Sequence, residues 1–324
     1  MTTFSFKTLS LRHQRKRVLP CPKCKDKQKV ICWGFQHNYL QRYRCKKCKC
    51  TFNKKTGKFN ARLRTLLKEV TRCVASLCDG QGLRACSRTS NHKRATLVNW
   101  LQSAGKQCQS INEKLLKPAA STFLELDELY TYVYTKQFRQ YLWTSVDAFN
   151  KLFLGFHLSW TRSLEECKKF FHTFLHRVQN VLGATSDGLQ EYATLMQKYF
   201  SEVPFAQVVK VYQNKRLVEV KKKQCGKHTV ASVEYVLASL GLGSELNTSA
   251  VERFNSTLRS FLARLNRKTV KFSKDKGNLE ALLHVFQAYY NLCLRHSELR
   301  TSPAHAAGLT KKRLTLQEVL SLRV

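Results

Sequence analysis

The chain has 324 residues, and its 57 lysine and arginine residues against 21 aspartate and glutamate residues give a formal net charge of +36. A hydrophobic fraction of 43% excludes wholesale disorder and allows two or three packed domains. So strong a positive charge is tolerated most readily beside a polyanion. We therefore expect nucleic acid as the partner, with an anionic membrane surface as the weaker alternative.

The cysteines and the lack of long apolar segments indicate where the protein works. No stretch approaches the roughly 18 apolar residues of a membrane span, and the N-terminus has no apolar run typical of a secretory signal. The 13 cysteines are therefore interpreted as reduced thiols, some of them metal ligands. We expect a cytoplasmic, nucleoid-associated protein with no membrane partner, or a nuclear one if the source is eukaryotic.

Residues 1–20 are interpreted as a basic tail that is either solvated or in contact with phosphates. Two C-x2-C pairs, 20 residues apart, then predict a zinc ribbon over residues 21–53. The four predicted ligands of this structural Zn²⁺ are Cys21, Cys24, Cys45 and Cys48. Chance cysteines are the alternative, and Cys50 is a possible replacement for Cys48. Four aromatic residues of the ribbon either face nucleic acid or fill its small core: Trp33, Phe35, Tyr39 and Tyr43.

Residues 54–106 are predicted to form a helix-turn-helix DNA-binding domain. Apolar residues at helical spacing indicate three helices over residues 62–105, and the second is short. The third helix has the polar and basic side chains that suit the major groove. Its candidate DNA contacts are Lys93, Arg94, Thr96 and Asn99. An ordinary three-helix bundle is the alternative, and a linker is expected over residues 107–120.

Residues 121–300 are predicted to form an α/β catalytic domain, with a C-terminal tail over residues 301–324. Alternating apolar and polar residues predict a strand over residues 122–134. The alternation puts Asp127 on the face opposite the leucines. Glu128 falls on the leucine face, which makes it the weaker candidate for a metal ligand.

A hairpin is predicted next, with strands over residues 141–146 and 152–158 and Asp147 in the turn between them. A helix is expected from Ser163 to about Leu182, where two histidines serve as surface or packing residues. A short strand then ends at Asp187, which is either a site residue or the N-cap of the following helix. A last strand is predicted over residues 208–211, beside a basic segment.

The most strongly patterned stretch runs from Asn247 to Phe272. Its apolar residues recur at helical spacing and predict one helix with a basic tail. Glu252 shares a polar face with Asn255 and Arg259, an arrangement that could hold a metal beside a phosphate. The alternative is a capping box, because Ser249 and Glu252 have the S-x-x-E spacing.

The order of these elements is that of a ribonuclease H-like fold, in which Asp127, Asp187 and Glu252 would meet at one sheet edge. Three such acids bind two divalent metal ions and catalyse attack on a phosphodiester. Mg²⁺ suits oxygen ligands and substrate phosphates, and Mn²⁺ is its substitute. Each acid also has a purely structural explanation, but their joint occurrence in so basic a chain favours the site.

The chain resembles the insertion-sequence-one family of bacterial and archaeal DDE transposases, from about Cys21 to Leu320. The resemblance rests on the CPKC and YRCKKC knuckles, on GQGLRA at Gly80 and on LDELY at Leu126. It continues with TSDG at Thr185, VERFNSTLRSFLARLNRKT at Val251 and FSK at Phe272. The Val251 string is the most specific of these matches.

The resemblance implies that Asp127, Asp187 and Glu252 are the catalytic triad and that the four cysteines bind zinc. It also implies that the helix-turn-helix reads the terminal repeats of an insertion sequence. Such enzymes free 3′-hydroxyls at the ends of the element and join them to target DNA. The polar positions of the motif imply contacts with DNA by Arg253, Asn255, Arg259, Arg264 and Lys268, and Arg267 of the basic tail is a further candidate contact.

We expect a dimer or larger assembly on double-stranded DNA, because two element ends must be held together. One alternative function is a non-catalytic DNA-binding repressor, a domesticated or decayed copy. Another is a metal-dependent nuclease that cuts without joining. Because all three acids are present, decay is disfavoured.

Overall fold

A computed structural model describes residues 19–36, 39–56, 59–117, 122–214 and 216–322. The predicted basic tail therefore lies outside the described residues, except for its last two positions. The described residues form two compact units, one over residues 19–62 and the other over residues 63–322. None of the described helices is both long and apolar enough to cross a membrane.

The first unit is a three-stranded antiparallel sheet with a small core. Its strands, in the order β1-β2-β3, are β1 (Val30–Phe35), β2 (Gln41–Cys45) and β3 (Thr51–Asn53). Tyr43 and Phe52 stack at 5.7 Å and are buried against two of the cysteines. Trp33, Phe35 and Tyr39 are exposed. Of the four aromatic residues predicted for this segment, only Tyr43 fills the core.

The second unit begins with three helices, as predicted: α1 (Leu67–Cys78), α2 (Leu83–Ser90) and α3 (Arg94–Leu115). The prediction of a linker was wrong over residues 107–115, because α3 continues through them. The buried stripe of this helix extends to Cys108 and Ile111. Asn112 is also buried and donates to Gln287 Oε1 at 3.0 Å. Residues 118–120, at the end of the predicted linker, lie outside the described residues.

A mixed six-stranded sheet forms the centre of the second unit, in the order β6-β5-β4-β7-β8-β9. Strand β7 lies parallel to both β4 and β8, and the other neighbouring pairs are antiparallel. The strands are β4 (Thr122–Tyr132), β5 (Arg139–Asp147), β6 (Leu152–Ser159), β7 (Val181–Asp187), β8 (Phe205–Gln213) and β9 (Arg216–Cys225). The protein is thus α/β, as predicted.

Helices cover both faces of this sheet. The helices after β6 are α4 (Leu164–Phe174), α5 (Gln190–Tyr199), α6 (Val230–Ser239), α7 (Ser249–Phe261), α8 (Lys276–Ala288), α9 (Pro303–Ala306) and α10 (Leu316–Ser321). On one face, Trp143 of β5 packs against Phe170 and Tyr192, which belong to the first two of these helices, α4 and α5. On the other face, Phe153 of β6 packs against Phe254. A π-helical turn, Tyr289–Cys293, continues α8.

Three elements differ from the sequence-based prediction. Helix α4 ends at Phe174 rather than near Leu182, because Arg177 turns inward and donates to Glu113 at 2.6 Å and to the Leu154 carbonyl. The basic segment after β8 pairs with it along its whole length and becomes the edge strand β9. Helix α6 was not predicted, although the side chain of Thr229 caps it by accepting from the Ser232 N–H.

The helix predicted over the Asn247–Phe272 stretch is shorter than expected. Helix α7 ends at Phe261, and a 3₁₀ turn, Ala263–Leu265, follows it. The alternative interpretation of Ser249 and Glu252 as a capping box was wrong, because Ser249 is the first helical residue and Thr248 is the N-cap. The basic tail of the stretch therefore lies outside the helix.

Candidate functional site

A cleft of about 1060 Å³ opens where β4, β7 and α7 meet. Asp127 of β4 and Asp187 of β7 both line it. Because Leu126 pairs with Ser186 across two parallel strands, the next residue on each strand reaches the same edge. Carboxylate oxygens of Asp127, Glu128 and Asp187 all lie within 4.8 Å of one another.

Glu128 belongs to this cluster, although its place on the leucine face had made it the weaker candidate for a metal ligand. Its cross-strand partner is Trp143, which lies on the face covered by α4 and α5. The alternation was therefore interpreted correctly. The contact of Glu128 with Asp187 was not predicted, because it depends on how β4 and β7 pair. Asp187 is the last residue of β7, and its carboxylate lies near both Asp127 and Glu128, which are on opposite faces of β4.

Burial and mutual repulsion make two of these carboxyl groups weaker acids than free aspartate or glutamate side chains. Burial, followed by the charge of Asp187, raises the pKa of Asp127 to about 6. The same two causes raise the pKa of Glu128. Because Asp127 and Glu128 resist ionisation here, the cluster favours protons or a positively charged ligand.

Asn255 of α7 fixes the orientation of Asp127. Its side-chain amide donates to Asp127 Oδ2 at 2.8 Å, and its own oxygen accepts from Thr144 Oγ1 at 3.1 Å. The backbone N–H of Glu128 donates to the other Asp127 oxygen at 2.8 Å. Asn255 therefore orients the Asp127 carboxylate, and this hydrogen bond uses one N–H of the amide that was expected to contact DNA.

Glu252 lines the same cleft but is not a member of the close cluster. Its carboxylate accepts from Thr248 Oγ1 at 2.7 Å and forms an ion pair with Lys210 of β8. The structure thus brings two of the three predicted acids together and places the third on the wall of the cleft.

Glu125 holds the helix that bears Glu252, a role that was not predicted from the sequence. Its buried carboxylate accepts from the backbone N–H of Val251 at 2.9 Å, in the first turn of α7. Burial raises the pKa of Glu125 to about 7. The available signal was that Glu125 shares a strand face with Asp127, which lies two residues away.

Several cations line the cleft, including two of those predicted to contact DNA. Arg259 and Arg267 are among them, together with Lys210 and Arg162. The guanidinium of Arg259 also donates to the Leu265 carbonyl at 2.9 Å. Positive side chains around a carboxylate cluster suit a substrate that has phosphates on either side of the reacting one.

Three other predicted DNA contacts lie away from this cleft. Arg253 pairs with Glu298 at 2.8 Å and lines a separate cavity on the other side of α7. Arg264 is half-buried and lies close to the Asn278 carbonyl, at 3.4 Å. Lys268 is exposed after the end of α7. Arg253 and Arg264 are thus occupied by contacts within the chain.

The predicted recognition helix presents most of its polar residues to solvent. Lys93, Arg94 and Asn99 are exposed, and Thr96 is half-buried. Beside them is a cavity of about 510 Å³ whose cationic lining combines α2, α3 and the segment after α7. Its cations are Arg84, Arg88, Arg94, Arg264, Lys271 and Lys274.

The four predicted zinc ligands form a second cluster. Cys21 Sγ lies 3.4 Å from Cys48 Sγ, and Cys24 Sγ lies 3.5 Å from Cys45 Sγ. A tetrahedral zinc site with bonds of about 2.3 Å separates its sulfurs by about 3.8 Å, close to these distances. Cys50 is outside this cluster, and its thiol contacts the Thr51 carbonyl at 3.7 Å.

Both clusters can hold a metal ion. The four sulfurs have the number, element and spacing of a structural zinc site and lie in a unit compatible with a zinc ribbon. The cleft offers hard oxygen donors at a separation that one Mg²⁺ with bonds near 2.1 Å can span after small shifts.

No family model matches the chain, and no curated protein matches it. The resemblance to the insertion-sequence-one family therefore stays a prediction.

Proposed function

We propose that the protein is a DNA transposase that frees 3′-hydroxyls at the ends of its element and joins them to target DNA. The cleft is the observation on which this proposal rests. Asp127 and Asp187 meet there on neighbouring parallel strands, and the adjoining helix presents Glu252 to the same space. The cationic side chains around them suit a polyanionic substrate.

A ribonuclease H-like fold is part of the proposal. Its support is the order of elements: an antiparallel set of three strands, then two strands parallel to the first, then the helix bearing Glu252. In that arrangement an acid in the first strand and an acid at the end of the fourth strand lie side by side. The additional edge strand β9 departs from the simple pattern that the sequence predicted.

The chemistry assigned to the cleft is divalent-metal-dependent phosphoryl transfer. Two Mg²⁺ or Mn²⁺ ions, when bound, would activate the attacking water or hydroxyl and stabilise the leaving oxygen. Asp127 and Asp187 would hold the ions, and Asn255 would keep Asp127 in its present orientation. Glu252 would have to leave Lys210 to join them, and Lys210 could then pair with a DNA phosphate.

DNA binding is assigned to both units. In the second unit, a helix-turn-helix formed by α2 and α3 would present Lys93, Arg94 and Asn99 to the element ends. In the first unit, a ribbon with structural Zn²⁺ would present the exposed Trp33, Phe35 and Tyr39. A homodimer or larger assembly would hold two element ends together.

The test uses the purified full-length protein, Mg²⁺ and a labelled duplex taken from the DNA that flanks its gene. Joined strands are the expected product, and Asp187→Asn protein should bind the duplex without cutting or joining it. Cut ends alone would replace the proposal by a metal-dependent nuclease. Binding without either product, also with Mn²⁺, would replace it by a non-catalytic DNA-binding protein.

A further inference from the structure

Five aromatic residues, which we call the aromatic strip, lie in two ring-contact groups on the outer parts of β4 and β5, in the turn between them and just after β6. The ring centroids of Tyr134 and Phe138 are 6.4 Å apart, and those of Phe138 and Trp160 are 6.2 Å apart. Tyr130 and Tyr141 form a further pair at 6.3 Å. Between 46% and 61% of each of four of these side chains is exposed: Tyr130, Tyr134, Phe138 and Trp160. Exposed aromatic side chains grouped in this way are typical of an interaction site.

The charge of the strip indicates the kind of partner. The guanidinium of Arg162 lies over the Tyr141 ring at 5.2 Å, and the ammonium of Lys276 lies near the Trp160 ring at 5.9 Å. Exposed Lys136 and Arg139 add two more cations, and no acid occurs from residue 130 to residue 141. Aromatic faces interleaved with cations are the surface to which single-stranded nucleic acid binds.

The strip begins beside the carboxylate cleft. Tyr130 lies two residues beyond Glu128 on the same face of β4, a step of about 6.6 Å along a strand. Its carbonyl oxygen lies 3.4 Å from Arg259, which lines the cleft. Arg162 lines the cleft as well, so one side chain contacts both surfaces.

The turn that holds the strip is fixed in place. The Tyr134 N–H donates to the Ser273 carbonyl at 2.7 Å, and the Tyr132 ring lies 5.4 Å from the Phe272 ring. A surface already ordered before binding loses little conformational entropy when a ligand stacks on it.

We propose that this aromatic strip is a stacking site for unpaired bases of the DNA strand whose phosphate occupies the cleft. The identity of the ligand as DNA rests on the proposed function. Bases within a duplex are already stacked on one another, so only a frayed or single-stranded nucleotide can use the strip. Every base has an aromatic face, and the site should therefore tolerate any sequence.

The test compares two probes without Mg²⁺: a blunt duplex and the same duplex with a short single-stranded overhang. Wild-type protein should bind the overhang duplex more tightly, and 2-aminopurine in the overhang should be quenched on binding. Tyr130→Ala and Phe138→Ala should each weaken overhang binding by about tenfold and leave blunt-duplex affinity unchanged. Tyr130→Phe keeps the ring and should keep the preference.

Tyr235→Ala is the matched control, because Tyr235 is an equally large exposed ring on α6, 77% exposed. It should behave as wild type, and thermal unfolding should show that every variant is folded. An overhang preference that survives in both Tyr130→Ala and Phe138→Ala would overturn the stacking site. So would unchanged DNA affinity with weakened self-association, which would make the strip a protein interface.

Failure of this proposal is distinguishable from failure of the proposed function. A protein that binds and joins the blunt duplex but ignores the overhang has no stacking site and is still a transposase. A protein that binds neither duplex contradicts both proposals.

Discussion

Ionising the carboxyl group of Asp127 in the metal-free cleft costs free energy. Its pKa is raised by burial and by Asp187 to about 6, whereas the unfolded chain keeps a value near 3.9. Between these values the folded protein binds more protons than the unfolded one, so the free energy of unfolding falls as pH rises. The loss from this one group is about 2 to 3 kcal/mol and is complete near pH 7.

Asp127→Asn loses one of two accepted hydrogen bonds at every pH, but relative to wild type the metal-free variant should be about 2 kcal/mol more stable near pH 7 than near pH 4. Urea unfolding at the two pH values measures this difference. Asp79→Asn, at an exposed position after α1, is the control and should change neither value. Equal effects of Asp127→Asn at both pH values would show that its carboxyl is not perturbed.

Glu125 acts on the site through α7. Glu125→Ala removes the acceptor for the Val251 N–H and should cost about 1.5 to 3 kcal/mol of stability. It should also slow strand joining more than it weakens duplex binding, because α7 positions Glu252 and Asn255 above the sheet. Glu125→Gln keeps one acceptor oxygen and should restore part of the rate. Parallel loss of binding and joining would argue against this positioning role.

At the scale of elements, the cysteine knuckles offer the most independent test. Cys21→Ser removes one of four ligands from a unit whose remaining core is small, so zinc content should fall and the unit should unfold. Metal analysis and circular dichroism measure the two effects. Cys32→Ser, at an exposed cysteine outside the cluster, is the control. Full zinc content in Cys21→Ser would refute the ligand assignment.

Local patterns predicted the elements that bury one face. The C-x2-C pairs, the alternation in β4 and the apolar stripe of α7 are each formed by residues that are close together in the chain. The sequence also predicted the three consecutive strands β4, β5 and β6 and the position of Asp187 at the end of a strand. Those features follow from periodicity and turn chemistry alone.

Features that depend on distant residues were not predictable. Helix α3 runs through the expected linker because it packs on α8, and Gly105 allows this close approach: an added Cβ would lie 2.7 Å from Ala281. Glu128 and Asp187 meet only because β4 pairs with β7. Lys210 and Glu252 are 42 residues apart in the chain, and their ion pair likewise depends on how distant elements, here β8 and α7, come together.

At the scale of the whole molecule, a net charge of +36 should make DNA binding strongly dependent on salt. Each neutralised phosphate contributes about −0.9 to the slope of log affinity against log salt, so we expect a slope of about −5 or steeper. Fluorescence anisotropy with a blunt duplex measures it. Arg267→Gln should make the slope shallower by about one, and Gln317→Ala, on α10, should not. A flat response would contradict the basic-surface argument.

The most direct test of the account is strand joining by Glu252→Gln protein, compared with wild type and with Glu245→Gln at an exposed position nearby. Glu252 is decisive because it lines the cleft without belonging to the close cluster of acids. The account predicts that wild type and Glu245→Gln join the labelled element end to target DNA in Mg²⁺. Glu252→Gln should bind the same end and neither cut nor join it. Joining by Glu252→Gln at the wild-type rate would contradict the account.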